Sequence, residues 1–357
     1  MRKFHPATLS KKTSETSDSC VLTLSVPEDV RDEFVYEQGQ HLPVRAFLND
    51  KSVRRTYSIC SSVNDAELRL GVRIQEGGLF SNYIADDLDV GDTLEIMPPY
   101  GHFNTPLSAD NGKTYAAFVA GSGITPILSI VKTTLETEAD SRFLVYYGNR
   151  KRSTTMFIED LFALKNIYGQ RLSMHFIMSQ EPTDIELYGG HVDGKKVKEL
   201  HDAFMSECRA DDIFICGPNP MIDDVTNSLV SLGYDKSNIH SERFRAGLKG
   251  EKAKKPESKY IPKGGAEVTV VIDGNRQSFQ MRPDNASILD AAQDNGLDLP
   301  YSCKGGVCST CRCLLTRGEV DMQLNYALEP WELEKGFILT CQSTPKTADI
   351  ELDYDQT

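Results

Sequence analysis

The chain has 357 residues, which is long enough for two or three domains, and its apolar content is that of a globular protein. Its formal net charge of −13 argues against nucleic acid as a partner, because phosphate binding needs clustered Lys and Arg. No stretch approaches the roughly 20 apolar residues that span a bilayer. Because the first residues are polar, we expect no secretory signal. We therefore expect a cytoplasmic protein that binds neither nucleic acid nor membrane.

The first hundred residues predict a small antiparallel β-barrel over residues 1–107. Apolar and polar residues alternate over 21–26, 68–72 and 93–96, and Gly, Asp and Pro turns separate these stretches at short intervals. One helix is expected to begin near Ser81.

A second domain is predicted over residues 108–244, where buried strands alternate with helices. Continuous apolar strands are expected at 115–120, 142–147, 172–178 and 212–216. Helices are expected between them, the first over 127–135 and the next over 156–164. This alternation is typical of an α/β doubly wound fold with a parallel sheet.

The segment 245–265 has the composition of an interdomain linker. Seven Lys or Arg residues stand against two Glu over 245–263, together with two prolines and a Gly pair at 264–265. We expect this basic, solvated segment to let the last domain move.

The last domain, over 266–357, is rich in predicted β-structure and carries 15 acidic against 7 basic residues. Its stretch 328–333, which includes Trp331, is expected to be a core helix beneath a cysteine-rich loop.

Four cysteines of the last domain, Cys303, Cys308, Cys311 and Cys341, follow the spacing C-x4-C-x2-C…C of plant-type [2Fe–2S] ferredoxins. Such a cluster is anionic, and the pair Gly305-Gly306 allows the loop to turn its backbone amides inward. The alternative is a structural four-cysteine zinc site, although such sites usually pair two short knuckles. Cys313 is expected to be a core residue and not a ligand.

The glycine-rich turn that starts at Gly121 follows a buried strand and precedes a helix. In this context Gly121 and Gly123 let the backbone approach a pyrophosphate, and the helix N-terminus presents free amides to it. Pro126 suits a first helical turn, where its missing N–H has no intrahelical partner. The alternative is a tight turn that binds no ligand.

The tetrapeptide from Arg55 to Ser58 lies on a predicted barrel strand, and a Gly77-Gly78 pair precedes the helix near Ser81. Arginine can clamp a diphosphate with two hydrogen bonds, tyrosine can flank a flat ring, and a serine hydroxyl can reach a ring nitrogen. The alternative is an ordinary strand. The position of the motif, in a barrel that precedes a nucleotide fold, favours the binding interpretation.

Together these motifs and Cys216-Gly217-Pro218 resemble those of the ferredoxin–NADP reductase superfamily. With the last domain, the whole chain resembles the one-chain reductases of bacterial multicomponent oxygenases, and most closely the reductase subunits of phenylacetyl-CoA epoxidases. The segments that carry the closer match are 55–60, 76–78, 101–103, 147–150, 240–244, 304–308 and 325–330.

The resemblance implies roles for individual residues. FAD would be bound by Arg55, Tyr57 and Ser58, with Gly78 and Ser81 at its pyrophosphate. The pyridine nucleotide would be held by Gly121, Gly123, Thr125 and Pro126. Ser58, Cys216 and Glu242 would be catalytic, with Ser58 near the flavin nitrogen that takes the hydride and Cys216 beside the nicotinamide. Phe244 would shield the flavin; plant reductases have a terminal tyrosine at this place, whereas here a further domain follows.

The basic run Arg150-Lys151-Arg152 follows the strand that leads to the adenosine ribose in this family. Such a run favours NADPH over NADH, with Arg150 at the additional phosphate. The alternative is a solvated run of charges, which leaves NADH possible.

The implied function is electron transfer from NADPH through FAD and a 2Fe-2S cluster to a di-iron oxygenase, that of phenylacetate catabolism. The acidic last domain would be a docking face for a basic oxygenase subunit, or would carry ordinary solubility charge. One alternative is the reductase of another oxygenase, such as a ketosteroid or ring hydroxylase. A different one is a flavin reductase whose last module is a zinc-stapled binding domain.

Overall fold

The computed structural model describes residues 3–244 and 261–356. They form two compact units, one of residues 5–53 and 57–244, the other of residues 261–356 with the short segments 3–4 and 54–56. The predicted linker over 245–265 lies, except for its last five residues, outside the described residues. Among the helices of the described part, none is long and apolar enough to cross a membrane.

The first part of the larger unit is an antiparallel barrel. Its elements are β1 (His5–Thr16), β2 (Ser19–Ser25), β3 (His41–Leu48), β4 (Lys51–Ser58), β5 (Leu68–Arg73), α1 (Leu79–Asp86) and β6 (Thr93–Ile96). The strand order is β4-β3-β6-β1-β2-β5. A bridge between Ile59 and Leu70 joins the two ends of this order, so that the sheet closes. The barrel interior is apolar and includes Leu9, Leu22 and Leu42.

The second part of the larger unit is a parallel sheet with helices. Its elements are β7 (Thr114–Ala120), α2 (Ile124–Thr137), β8 (Arg142–Asn149), α3 (Ile158–Tyr168), β9 (Leu172–Met178), α4 (Gly194–Phe204), β10 (Asp212–Cys216), α5 (Asn219–Ser231) and β11 (Ile239–Glu242). The strands are parallel in the order β11-β10-β7-β8-β9. The doubly wound prediction is confirmed, and β9 and β10 have the predicted bounds. Helix α2 begins three residues earlier than predicted, directly after the glycine turn.

One apolar core joins the barrel to the parallel sheet. Val21, Cys60 and Phe103 belong to the same buried cluster as the residues of β7, α2 and β8. Gly71 of β5 is part of this contact, because a Cβ there would lie 2.7 Å from the Thr125 methyl group and 2.8 Å from the Phe157 ring. The lack of a side chain at position 71 therefore sets how closely α2 approaches the barrel.

The smaller unit has the mixed sheet of a β-grasp domain. Its elements are β12 (Ala266–Ile272), β13 (Asn275–Met281), α6 (Ile288–Asp294), β14 (Arg312–Arg317), β15 (Val320–Met322), α7 (Pro330–Glu334), β16 (Phe337–Leu339), β17 (Ser343–Pro345) and β18 (Asp349–Asp353). The main sheet has the order β13-β12-β18-β14-β16, in which only the β12–β18 pair is parallel. Helix α6 packs its apolar residues into the core, where Cys313 is fully buried as predicted.

The prediction of a core helix over 328–333 is only partly correct, since Leu328 lies in the core and a short helix follows it, but the apolar side chains of that helix are exposed. Helix α7 has only five residues, and Trp331 and Leu333 are each 43% exposed. Its fully buried side chain is Glu332, whose carboxylate lies 2.6 Å from the Nε of Arg312 and caps the backbone N–H of Glu329 at 2.9 Å. An ion pair and a capping box, rather than apolar packing, therefore hold this helix in place.

Candidate functional site

A buried cluster of polar side chains lies where the barrel meets the parallel sheet. The Oγ of Ser58, at the end of β4, donates to Oε2 of Glu242 over 3.2 Å. The Nδ1 of His41, at the start of β3, lies 3.1 Å from Oε1 of the same carboxylate. Each of the three residues is at most 9% exposed. Glu242 ends β11, which pairs with β10 so that Cys216 is its register partner. The three residues predicted to be catalytic, Ser58, Cys216 and Glu242, are thus brought together.

The thiol of Cys216 is kept protonated by its surroundings. Complete burial, with the charge of Glu242 as a smaller cause, raises its pKa well above the ordinary value. A neutral thiol is a poor nucleophile, so this side chain can pack or form weak hydrogen bonds but is not poised for covalent chemistry.

His41 belongs to this cluster and is a residue that the sequence analysis missed. Because a carboxylate oxygen without a proton can only accept, this contact is a hydrogen bond when the Nδ1 of His41 carries the proton. The ring is seated against Gly101, where φ is +132° and a Cβ would lie 3.2 Å from the imidazole. The only sequence feature that bears on His41 is the segment 101–103, which carries part of the family resemblance and contains Gly101. Nothing in the sequence shows that this segment contacts position 41.

The N-terminus of α1 has the features expected of a pyrophosphate site. Gly78 occupies the N-cap position, and no side chain of the described residues caps the first turn, so its amides are available to an anion. The Oγ of Ser81 accepts from the backbone N–H of Gln75 at 3.0 Å, and Asn82 donates to the Gly78 carbonyl at 2.7 Å. Ser81 is therefore engaged in shaping this turn.

The other predicted flavin residues lie on β4. Side chains alternate along the strand, so Arg55 is exposed, Tyr57 is half-buried and Ser58 is buried. The ring centroid of Tyr57 lies 6.2 Å from that of Phe80 in α1. An exposed guanidinium and a supported aromatic ring are suited to a diphosphate and a flat ring system, respectively, so these residues fit FAD.

The glycine turn between β7 and α2 combines one position open to solvent with one that is tightly packed. Gly121 has φ +56°, and among the described residues, apart from Gly121 itself and its two chain neighbours, no heavy atom lies within 4 Å of the place that its Cβ would take. At Gly123 a Cβ would lie 2.2 Å from the carbonyl oxygen of Cys216. The Oγ1 of Thr125 donates to the Ser122 carbonyl at 3.0 Å, and Pro126 lies in the first turn of α2. The turn fits a dinucleotide at Gly121, whereas Gly123 is required by the adjacent strand.

The remaining predicted residues of the larger unit are at its surface. Arg150, Lys151 and Arg152 follow β8 directly and are all exposed, and the backbone N–H of Arg152 is held by Glu181 at 2.7 Å. Phe244 is 40% exposed and is the last described residue of this unit.

The four predicted cluster ligands occur as two pairs of thiols. Cys303 forms a side-chain hydrogen bond with Cys308, and Cys311 forms one with Cys341, while electrostatic interactions connect the two pairs. Hydrogen bonding from Cys303 lowers the pKa of Cys308, and hydrogen bonding from Cys311 lowers that of Cys341. Across the described residues, no three His, Cys, Asp or Glu side chains are grouped to hold a metal ion. A two-iron cluster needs two thiolates for each iron, and this donor set supplies them as two pairs.

Hydrogen-bond donors surround these sulfur atoms. The backbone N–H of Gly305 donates to Sγ of Cys303 at 3.2 Å, that of Cys303 to Sγ of Cys308 at 3.4 Å, and the hydroxyl of Thr310 to Sγ of Cys308 at 3.2 Å. Gly306 has φ +73°, and a Cβ there would lie 2.9 Å from the Leu324 carbonyl oxygen. A loop that directs amides at thiolate sulfurs fits an anionic cluster.

Comparison with known proteins assigns all three domains. Residues 6–105 match the oxidoreductase FAD-binding domain, 118–227 the oxidoreductase NAD-binding domain and 270–346 the 2Fe-2S iron-sulfur cluster binding domain. The match over 270–346 identifies the last domain as an iron–sulfur domain, which argues against the alternative of a zinc-stapled binding domain.

The similar proteins include subunits and reductase components of oxygenase systems. The chain is 42% identical over 355 residues to a subunit of the 1,2-phenylacetyl-CoA epoxidase of Escherichia coli, covering 99% of each. It is 33% identical to the ferredoxin reductase component of 3-ketosteroid-9-alpha-monooxygenase of Rhodococcus rhodochrous, covering 97% of this chain and 96% of that protein. The structure of phthalate dioxygenase reductase has the same modular fold, with 24% identity, 98% coverage of both chains and a TM-score of 0.59. The chain therefore belongs to the oxygenase reductases that combine FAD, pyridine-nucleotide and 2Fe-2S domains in one polypeptide, and is an NAD(P)H-dependent oxidoreductase.

Proposed function

We propose that this protein passes electrons from NADPH through FAD and its 2Fe-2S cluster to a di-iron oxygenase, and that this oxygenase is a phenylacetyl-CoA epoxidase. The full-length similarity to a component of that epoxidase, at 42% identity, carries the proposal. FAD, when bound, accepts a hydride and releases electrons one at a time. The partner is a protein, and we place the reaction in the cytoplasm.

We propose that the buried polar cluster positions the nicotinamide for hydride transfer. Ser58 would lie at the flavin nitrogen that receives the hydride, with its hydroxyl fixed by the bond to Glu242. Cys216 would contact the nicotinamide as a neutral group, and Phe244 would cover the flavin. Arg55, Tyr57, Gly78 and Ser81 would form the FAD site, and Gly121, Gly123, Thr125 and Pro126 the dinucleotide site. Cys303, Cys308, Cys311 and Cys341 would be the cluster ligands.

The proposed domain limits are 1–107, 108–244 and 266–357, with a linker over 245–265. The three family matches, at 6–105, 118–227 and 270–346, fall inside these limits and support them.

An anaerobic titration followed by acceptor assays tests the electron path. We expect NADPH to bleach the flavin bands and then the broader iron–sulfur absorption, and the reduced protein to reduce a purified phenylacetyl-CoA epoxidase oxygenase component. The 33% identity to a ketosteroid monooxygenase reductase makes that oxygenase the second acceptor to assay. If the protein reduces the ketosteroid oxygenase faster than the epoxidase component, the ketosteroid oxygenase is its partner and the proposed partner is wrong.

The preference for NADPH is tested at Arg150. Its guanidinium is exposed directly after β8, where it can reach an additional phosphate. Arg150→Gln should raise KM for NADPH about tenfold, the equivalent of about 1.4 kcal/mol, and leave KM for NADH unchanged. Lys198→Gln, which changes an exposed lysine of α4, is the matched control. Equal effects on both nucleotides would contradict the assignment.

A further inference from the structure

The smaller unit concentrates its exposed apolar side chains beside the cysteine loop. Of its described residues, four large apolar side chains are at least 40% exposed, and all of them lie between positions 324 and 333: Leu324, Tyr326, Trp331 and Leu333. We call residues 324–333 the apolar segment. Solvent exposure of aromatic and aliphatic side chains within one short segment is typical of a protein-binding site.

The apolar segment is attached to the loop that carries the cluster ligands. The backbone N–H of Tyr326 donates to the Gly306 carbonyl at 3.0 Å, and the hydroxyl of Ser309 donates to the Ala327 carbonyl at 3.2 Å. Gly306 and Ser309 flank Cys308, so two hydrogen bonds tie the segment directly to the ligand loop. A protein bound there would be near the point at which an electron leaves the cluster.

The surroundings of the segment are acidic. Between positions 319 and 334 the chain has five acidic residues and no Lys or Arg, and Lys335, which follows, has its Nζ 4.8 Å from the centroid of the Trp331 ring. Acidic residues therefore outnumber basic ones around the segment. Glu332 is buried in its ion pair, whereas Glu319, Glu329 and Glu334 are exposed and Asp321 is partly exposed. A partner that presents an apolar patch with Lys and Arg around it is complementary to this surface.

The charge distribution favours an external partner over the rest of this chain. The larger unit, residues 5–53 and 57–244, carries 35 acidic against 21 basic side chains, so it and the acidic segment have charge of the same sign. A second copy of the smaller unit would be repelled in the same way.

We propose that the apolar segment is the docking surface for the oxygenase component, and that Leu324, Tyr326 and Trp331 bind an apolar patch with a basic rim on that protein. The inference rests on the proposed function. Beyond that function, the inference identifies the surface of this chain that contacts the acceptor during electron transfer. It also gives the chemistry of the matching acceptor surface, which is an apolar patch with a basic rim.

The test uses the full-length holoprotein and three acceptors. They are the oxygenase component of a phenylacetyl-CoA epoxidase, cytochrome c as a basic protein acceptor, and ferricyanide as a small acceptor that needs no docking surface. The variants are Leu324→Ser/Tyr326→Ser and Trp331→Ser. Ile167→Ser, which removes an exposed apolar side chain from α3, is the control.

We expect both variants to lower kcat/KM for the oxygenase component by about tenfold or more, because exposed aromatic anchors dominate such interfaces. Cluster absorption and ferricyanide reduction should stay at the wild-type level. Glu319→Gln/Glu334→Gln should weaken the dependence of the oxygenase rate on ionic strength. Wild-type rates with the oxygenase in both apolar variants would overturn the docking surface.

Two further outcomes separate the surface from the proposed function. Slower reduction of the cluster by NADPH, with unchanged acceptor reduction, would assign the segment to the flavin unit of this chain and overturn the proposal. Failure of the wild-type protein to reduce the oxygenase would reject the proposed partner instead. In that case the cytochrome c rates would decide whether the segment binds basic acceptors.

Discussion

His41 and Glu242 are 201 positions apart in the chain, yet the imidazole Nδ1 lies 3.1 Å from the carboxylate Oε1. One residue starts a barrel strand and the other ends the last strand of the parallel sheet. The same carboxylate accepts from Ser58 through its second oxygen. The contact therefore links the two parts of the larger unit and fixes the orientation of the carboxylate toward the serine.

We predict that His41→Phe lowers the free energy of unfolding of the larger unit by about 1–3 kcal/mol, because a buried carboxylate oxygen loses its donor. It should also slow the reduction of FAD by NADPH. His41→Asn, which can still present an N–H near the place of Nδ1, should retain more of both. Thermal unfolding and stopped-flow flavin reduction measure the two effects.

A double-mutant cycle separates this hydrogen bond from ring packing. With Glu242→Gln in the background, His41→Phe should cost less than it does alone, since the two side chains interact directly. Additive effects in the cycle, or a smaller loss in His41→Phe than in His41→Asn, would show that the packing of the ring and not the hydrogen bond matters.

The two glycines of the turn before α2 should respond differently to alanine. Gly123→Ala places a methyl group against the Cys216 carbonyl, which lies only 2.2 Å from the Cβ position, and should destabilise the larger unit by about 1–3 kcal/mol. Gly121→Ala meets open space and costs about 1–2 kcal/mol for its left-handed backbone.

Nucleotide binding distinguishes these two variants. Gly121→Ala should raise KM for NADPH about tenfold, since its methyl group would occupy the side of the turn proposed to face the pyrophosphate. Gly112→Ala, at a position with φ outside the left-handed region and its nearest neighbour at 3.7 Å, is the control. An unchanged KM in Gly121→Ala would place the dinucleotide elsewhere.

The residues that motif and spacing alone identified are those whose requirement is local, whereas Cys216 and Glu242 were identified only through the family resemblance. Gly121 and Gly78 stand at turns that a strand–helix boundary already marks, and the spacing of Cys303, Cys308 and Cys311 is a property of one loop. His41 had no such mark, because its partner becomes a neighbour only when the barrel and the sheet pack together. Long-range contacts of this kind leave no periodicity in a single sequence.

The incorrect part of the prediction at 328–333 has a related cause. The stretch 328–333 with Trp331 was expected to be a core helix, yet Trp331 and Leu333 are exposed and the buried side chain of helix α7 is Glu332. A carboxylate can be buried there because the Nε of Arg312, on β14 and outside the helix, lies 2.6 Å from it. The pattern of apolar residues in a sequence does not show which charged residues will form a buried ion pair.

Cys311 and Cys313, only two positions apart, should differ completely in their effect on the cluster. Cys311 lies in the loop with its thiol paired to Cys341, so Cys311→Ser should abolish the iron–sulfur absorption. Cys313 is fully buried in β14, and burial raises the pKa of its thiol. Cys313→Ser should keep the spectrum and cost about 1–2 kcal/mol of stability. Iron and sulfide analysis of both variants checks the assignment, and loss of iron from Cys313→Ser would require a different ligand set.

The buried ion pair of Arg312 and Glu332 should decide the stability of the smaller unit. The guanidinium lies 3.6 Å from the centroid of Phe337 and is 10% exposed, so it has little access to water when its partner is removed. Glu332→Ala also removes the capping contact to the backbone of Glu329. The loss should be about 3–5 kcal/mol, whereas Glu332→Gln, which can keep the cap, should lose less.

Urea unfolding followed by loss of the iron–sulfur absorption measures these differences. Glu334→Ala, two positions away on the same helix but exposed, should change stability by less than about 0.5 kcal/mol. Replacing the pair together, as Arg312→Met/Glu332→Leu, should restore much of the loss, because no charge is then left buried without a partner. If Glu332→Ala unfolds at the same urea concentration as Glu334→Ala, the charge pair is not what holds helix α7 in place.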